Sequence, residues 1–226
     1  MNEQLIKYLE EFVNPARVEL LNKNLNNRTQ YITIVLEDIF QPHNSSAILR
    51  SCDCFGIQDI HIIENRNKYL PNSEIALGAE QWLTLTKYNN SSNNSAEALT
   101  SLKNKGYRII ATTPHDNCHL LTDFDLSEGK CAFVFGTELT GVSQTVENMA
   151  DGFIKIPMYG FTESFNISVS VAILLYQLTQ KLHTSDLNWH IEGSEKLNIK
   201  LKWLRNSIKK PHLIEKYFLE KILKEH

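Results

Sequence analysis

Residues 131–182 read CAFVFGTELTGVSQTVENMADGFIKIPMYGFTESFNISVSVAILLYQLTQKL. Two short apolar runs, Cys131–Phe135 and Phe153–Pro157, have the composition of buried strands, and each runs into a polar loop. The first loop is Gly136-Thr137-Glu138-Leu139-Thr140-Gly141, and the second extends from Met158 to Asn166. Loops leaving the carboxyl ends of strands are where open α/β sheets bind ligands. Both loops contain Gly for backbone freedom and side chains with oxygens to offer. A helix follows the second loop, because Val171, Leu174, Leu175, Leu178 and Leu182 recur at helical spacing on one face. Ser164 and Asn166 precede that helix. Both are good N-cap types, so capping alone accounts for them at this level, and presenting polar groups to a ligand is the second reading.

Upstream, strands and helices alternate. Asn14-Pro15 divides a leader of two helices, with Asn as N-cap and Pro at the first helical position. Tyr31–Leu36 reads as a buried strand, followed by a loop over Glu37–Asn44. A helix over Asn44–Phe55 comes next, with Asn44 as its expected N-cap, Arg50 off its apolar face and Gly56 as its stop. Further strands are expected at Ile60–Ile63, Leu83–Tyr88 and Tyr107–Thr112, the last leaving through Thr112-Thr113-Pro114. The polar segment Asn89–Ser95 reads as a mobile surface connection, and Ala96–Lys105 as a short helix ended by Gly106. This alternation predicts an α/β fold with a mostly parallel sheet. Neither Gly-x-Gly-x-x-Gly nor a Walker A sequence is present, so neither common phosphate loop is expected.

The tail differs from the rest. Lys196–Lys210 holds six basic residues and no acidic ones. At helical spacing Leu197, Leu201, Leu204 and Ile208 form one stripe, and Lys202, Arg205 and Lys209 another. A cationic stripe is most often a solvated face, and it also suits a phosphate backbone. Pro211 then interrupts, and Leu213, Ile214, Tyr217 and Phe218 suggest a last amphipathic helix.

With 42% hydrophobic and 22% charged residues, 226 residues can bury an ordinary core. The net charge of -3 advertises no nucleic-acid partner, although a local basic patch is hidden in such a sum. The first residues lack the basic and apolar regions of a secretory signal, and no apolar run approaches a membrane span. A cytoplasmic protein is expected. Cys52, Cys54, Cys118 and Cys131 have no metal-ligand spacing, so reduced thiols and no metal are expected.

Three segments together carry a resemblance. The first is Pro42-His43-Asn44-Ser45-Ser46-Ala47-Ile48-Leu49-Arg50-Ser51-Cys52-Asp53. The second is Phe135-Gly136-Thr137-Glu138-Leu139-Thr140-Gly141-Val142-Ser143. The third runs from Ile156-Pro157-Met158 through Ser164-Phe165-Asn166-Ile167-Ser168-Val169. In this order, over roughly residues 30–182, they resemble the SpoU (TrmH-type) branch of the SPOUT RNA methyltransferases. Within the branch the chain is most similar to the tRNA (guanosine-2'-O)-methyltransferases, on the Leu36–Asn44 approach, the Gly78–Trp82 segment and the helical extensions. Phe165 departs from the family, which usually has Leu there.

The resemblance implies a helical extension over residues 1–28, a methyltransferase domain over 29–184 with a deep trefoil knot, and a second helical extension over 185–226. Knots are exceptional, and periodicity would not suggest one. It further implies S-adenosylmethionine as cofactor and a homodimer whose active site lies at the subunit interface. The expected reaction is 2'-O-methylation of a guanosine of the G18 type in the D-loop of tRNA. Ribosomal RNA as substrate and a catalytically silent RNA-binding relative are the alternatives. Thr112, Gly136, Thr137, Glu138, Leu139, Thr140, Ile156 and Phe165 are the implied cofactor-binding residues. Asn44, Arg50, Glu138, Ser164 and Asn166 are the implied catalytic ones. Without the resemblance, Ile156 and Phe165 would read as core, Arg50 as a solvated cation and Glu138 as a loop carboxylate. A guanidinium keeps its proton at any working pH, so Arg50 is better suited to clamp a phosphate and a developing alkoxide than to act as a base.

Overall fold

Ile32, Ile34, Val35 and Leu36 are wholly buried, and this apolar run forms β1 (Ile32–Glu37), which has a neighbour on each edge. The computed structural model describes residues 2–39, 41–70, 73–113 and 118–225. In chain order its elements are α1 (Asn2–Glu10), α2 (Pro15–Asn26), β1, α3 (Pro42–Cys54), β2 (Asp59–Ile63) and the short α4 (Ser73–Ala76). Then come β3 (Thr84–Tyr88), α5 (Asn94–Asn104), β4 (Arg108–Thr112), β5 (His119–Leu120), β6 (Cys131–Phe135) and α6 (Gln144–Met149). The chain ends through β7 (Gly152–Lys155), α7 (Ile167–His183), α8 (Gly193–Ser207) and α9 (Pro211–Glu225).

The strands form one parallel sheet in the order β3-β2-β1-β6-β4-β7-β5. The α/β class with a parallel sheet is therefore as expected. In register, Ile34 lies between Ile60 and Phe133. Ile32, Ile34 and Leu36 join Phe133, Leu174, Leu175 and Leu178 in one apolar cluster, while Val35 joins Ala132, Val134, Leu99 and Leu102 in another. Apolar side chains cover both faces, which is why the strands read as continuous apolar runs rather than alternating ones. The predicted face of α7 is buried at all five positions. His61 of β2 is buried, with Nδ1 3.1 Å from the Tyr88 hydroxyl. Burial above all, with the Lys105 charge, pushes its pKa from 6.5 down to about 4.

Three expectations need correction. First, α3 begins at Pro42, with Gln41 at its N-cap and Pro at the first position, so Asn44 is a buried helical residue and not the cap. Second, Asn89–Ser95 is not one loose connection. Asn93 caps α5, and Asn94 and Ser95 are buried in its first turn. Third, the last strand stops short of Pro157, since β7 ends at Lys155. The two-residue β5 was not foreseen, and Pro114 lies outside the described residues.

The chain divides into two compact units, Thr29–Trp189, which holds the sheet, and Met1–Arg28 together with His190–His226. In the second unit α1 packs on α8 and α9, and α2 packs on α8. Asn14 caps α2 by accepting from the Ala16 amide at 2.9 Å, with Pro15 at the first position, as expected. Trp203 is buried beneath the Arg28 guanidinium, which lies 5.1 Å from the ring centroid. The tail helix is shorter than its periodicity suggested. It ends at Ser207, and Ile208 is extended. Lys209 therefore lies beyond the helix and shares no helical face with Lys202 and Arg205.

Candidate active site

β6, β4 and β7 are consecutive neighbours in the sheet, and β1 flanks β6. All run in one direction, so the segments after Glu37, Thr112, Phe135 and Lys155 emerge at one edge. The three motif segments meet there although they are far apart in sequence.

Their meeting point is a hydrogen-bonded triangle. Asn44 Nδ2 donates to Glu138 Oε1 at 2.7 Å and to Gln41 Oε1 at 3.1 Å. Asn166 Nδ2 donates to Asn44 Oδ1 at 3.0 Å and to the same Glu138 oxygen at 3.3 Å. Asn166 Oδ1 accepts from the amide of Ser168 at 2.9 Å, which caps α7, and from the Ser168 hydroxyl at 2.6 Å. The capping reading of Asn166 holds: one end of its amide caps α7, and the other donates to Asn44 and Glu138. Ser164 is not the cap. It is exposed, with no side-chain hydrogen bond among the described residues.

The loop after β6 closes on itself. The Thr137 amide donates to the Gly141 carbonyl at 2.9 Å, and the Gly141 amide returns a bond to the Thr137 carbonyl at 3.0 Å. The Thr137 hydroxyl accepts from the Thr140 amide at 3.1 Å. A Cβ on Gly136 would stand 2.0 Å from the Gly141 carbonyl oxygen, so no other residue fits there. The closed loop turns Glu138, Leu139 and Thr140 outward, with Leu139 98% exposed. Ile156 is half-buried against the core, and Phe165 is 41% exposed. The Thr112 hydroxyl donates to the Val134 carbonyl at 3.0 Å, so it offers a ligand its lone pairs and not its proton.

Arg50 is exposed on α3 and has no ion pair or hydrogen bond among the described residues. It follows Asn44 by six residues, which places it about 120° around the helix and about 9 Å along it. Arg50 is therefore on a different face of α3 from Asn44. In the helical unit, Arg205 pairs in bidentate fashion with Glu215 at 2.6 and 3.1 Å, Lys202 is half-buried and Lys209 is exposed.

Sequence reasoning missed Gln41, and it missed the two residues that anchor the loop after β6. Glu37, 2% exposed at the end of β1, accepts from the Ser143 amide at 2.8 Å and from the Ser143 hydroxyl at 2.7 Å. A charged residue ending an otherwise apolar strand was the available signal. Among the described residues no cluster of His, Cys, Asp or Glu could hold a metal ion, and no helix is long and apolar enough to cross a membrane. None of the four cysteines is in a disulfide among the described residues.

The model of the SpoU rRNA methylase family matches residues 31–176. The tRNA (guanosine(18)-2'-O)-methyltransferase of Borreliella burgdorferi is 41% identical over 218 residues, covering 95% of this chain and 98% of that protein. The Thermus thermophilus enzyme of the same name is 33% identical, covering 72% of this chain and 81% of its own. Among solved structures, the A. aeolicus TrmH/SpoU tRNA modifying enzyme superposes with a TM-score of 0.76 at 28% identity, over 86% of this chain and 98% of that one. The SpoU methyltransferase AviRb of Streptomyces viridochromogenes, in complex with AdoMet, shares the fold at a TM-score of 0.58 and 19% identity, over 72% and 62% of the two chains.

Proposed function

The chain belongs to the SpoU rRNA methylase family, and on that premise we propose that it methylates the ribose 2'-oxygen of a guanosine in tRNA, of the G18 type. The near full-length match to a tRNA (guanosine(18)-2'-O)-methyltransferase favours tRNA over ribosomal RNA. The observation that carries the reading is the Asn44–Glu138–Asn166 triangle, which joins all three motif segments at one sheet edge.

S-adenosylmethionine supplies a methyl group on a sulfonium centre. The groups at the sheet edge fit it: Gly136–Thr140 provides backbone donors and acceptors, and Leu139, Ile156 and Phe165 provide apolar walls. We assign cofactor binding to these residues and Thr112. Glu138 Oε1 is occupied by two amide donors, whereas Oε2 has no partner among the described residues. The triangle therefore holds a carboxylate oxygen ready to accept a hydrogen bond from a substrate hydroxyl or from Ser164. Such positioning lowers the barrier by holding the ribose oxygen in line with the methyl group. Arg50, with its fork of donors, is assigned to the phosphate next to the reacting ribose and to the developing alkoxide.

Arg50 is on a different face of α3 from Asn44, which supports a homodimer in which it completes the partner's site. Further support comes from apolar side chains left in solvent on the loops after β6 and β7 and on α7: Leu139, Tyr159 at 95%, Phe161 at 109%, Val169 at 43% and Tyr176 at 59% exposure. Exposed apolar surface of this kind marks an interaction site. The trefoil knot belongs to the same reading, as does a cytoplasmic location, where tRNA is found. Lys202, Arg205 and Lys209 are assigned to RNA backbone contact, with the exposed Lys209 the best placed of the three.

The test is to incubate the protein with unmodified tRNA and ribosomal RNA transcripts and methyl-labelled cofactor, then map the methylated nucleotide. Label on a D-loop guanosine ribose of tRNA is expected. Label on ribosomal RNA alone, or no transfer to either, overturns the assignment.

A further inference from the structure

Glu37 is a buried carboxylate at the carboxyl end of β1, and neither the catalytic nor the cofactor-binding assignment includes it. It has no ion pair among the described residues, and all its partners are neutral donors. Oε1 accepts from the hydroxyls of Ser95 and Ser143, the latter at 2.7 Å, and Oε2 accepts from the Ser143 amide at 2.8 Å. A buried charge is retained only where several hydrogen bonds satisfy it. Here most of them come from one residue, Ser143.

Ser143 ends the loop that starts at Gly136. It also opens α6, where its hydroxyl accepts from the Val146 amide at 3.3 Å. Leu36 pairs with Phe135 across β1 and β6, so Glu37 stands one residue beyond the last pair, level with the start of that loop. The two ends of the loop are thus fixed by different means. Gly136 is held by the sheet and by its close approach to Gly141, and Ser143 is held by Glu37. Between these anchors lie Glu138, Leu139 and Thr140, all exposed, with Glu138 tied to Asn44 and Asn166 and Thr140 to Thr137.

We propose that Glu37 is a positioning residue for the cofactor loop, acting through Ser143 to hold residues 137–141 in the shape that receives the cofactor and aims Glu138 at the triangle. The proposal rests on the assignment of this loop to S-adenosylmethionine. Ser95 shares the carboxylate but leads away from the loop, into α5 and to the Asn65 amide at 2.8 Å. It therefore separates positioning from general packing.

The experiment uses the full chain and four variants, Glu37→Ala, Glu37→Gln, Ser143→Ala and Ser95→Ala. Two readouts are taken: hydrogen exchange of the Thr137, Thr140 and Gly141 amides without any ligand, and S-adenosylhomocysteine affinity by calorimetry. Ser143→Ala and Glu37→Ala should exchange roughly tenfold faster at these amides and bind S-adenosylhomocysteine roughly tenfold or more weakly, the worth of about one hydrogen bond. Glu37→Gln should stay within a few-fold of wild type, because its amide can donate to hydroxyls turned to accept while its oxygen keeps the Ser143 amide. Ser95→Ala should leave both readouts unchanged. If Glu37→Ala does not fold, Ser143→Ala against Ser95→Ala still decides the matter. Unchanged exchange in Ser143→Ala, or an equal effect from Ser95→Ala, overturns the proposal. Faster exchange in a protein whose wild type binds no S-adenosylhomocysteine instead keeps the positioning and overturns the cofactor assignment.

Discussion

Asn44 and Glu138 lie 94 positions apart in the chain and 2.7 Å apart in space, amide nitrogen to carboxylate oxygen. Because Asn44 is 5% exposed inside α3, it cannot follow a carboxylate that shifts. Asn44→Ala should leave Glu138 held only by Asn166 at 3.3 Å. Single-turnover methylation with saturating tRNA should fall on the order of 100-fold, the scale of a misplacement of about 1 Å. Asn44→Ala and Glu138→Ala combined should be little worse than Glu138→Ala alone, because residues acting as one unit are non-additive. Multiplicative losses in the double variant would mean that the triangle is not the working unit.

Gly136 gives the sharpest steric prediction. Gly136→Ala places a methyl group 2.0 Å from the Gly141 carbonyl oxygen and 2.3 Å from the Val142 nitrogen, both backbone atoms that cannot rotate aside. The loop must open. S-adenosylhomocysteine binding should be lost in calorimetry, with the far-ultraviolet circular dichroism of the sheet retained. A variant binding with wild-type affinity would show that the loop's closed form is not the binding form.

Much of the fold was legible because its parts are local, whereas the site residues stand out only through the resemblance of the three motif segments. Strand ends, Gly-bearing loops and the α7 stripe from Val171 to Leu182 are properties of adjacent residues. What escaped depended on partners distant in sequence. Asn44 has the residue type of a cap, and only Glu138 and Asn166, brought in by the parallel order of β1 and β6, give it other work. Likewise Ser95 looked like part of a polar loop until Glu37 took its hydroxyl. In the tail, helical periodicity extended Lys202 and Arg205 to Lys209 because spacing cannot sense that Ile208 turns extended before Pro211.

That tail changes the expected salt dependence. Arg205 is neutralised by Glu215 through two bonds, whereas Lys209 is exposed. Lys209→Ala should make the slope of log affinity for tRNA against log salt shallower by about 0.7–0.9, and Arg205→Ala should change it by much less. Filter binding between low and physiological salt reads both. Equal effects would mean that the Arg205–Glu215 pair opens on RNA, and no effect from Lys209→Ala removes it from the RNA surface.

His61 predicts a pH dependence of stability. Its pKa in the fold, about 4, is below the ordinary 6.5, so the unfolded chain takes up the proton first as pH falls. Stability from this group is full above pH 6.5 and is lost as pH falls toward 4, amounting to about 2 kcal/mol between pH 6.5 and 5. His61→Gln can keep a bond to the Tyr88 hydroxyl and cannot titrate. Urea unfolding at both pH values should show a smaller acid loss in the variant than in wild type. An equal loss would assign the acid sensitivity to other groups.

The last prediction concerns which chain Arg50 serves. It lies about 120° around α3 from Asn44, so a site made within one chain has to draw its side chain around the helix. A two-fold dimer removes that difficulty, since each Arg50 can enter the other subunit's site. Arg50→Ala and Glu138→Ala should each be inactive as pure proteins. Unfolded together and refolded as a mixture, they form hybrid dimers in half of random pairings. In a hybrid, the Arg50 of the Glu138→Ala chain meets the Glu138 of the Arg50→Ala chain, and one of the two sites is whole. Activity should return to roughly a quarter of wild type per total chain. If Arg50 acted in its own chain, every site in the hybrid would lack one residue or the other and the mixture would stay inactive. Light scattering establishes that dimers form, and S-adenosylhomocysteine binding by each pure variant establishes that its loops are folded. An inactive mixture that passes both controls places Arg50 in its own chain's site and removes the physical argument for a shared one.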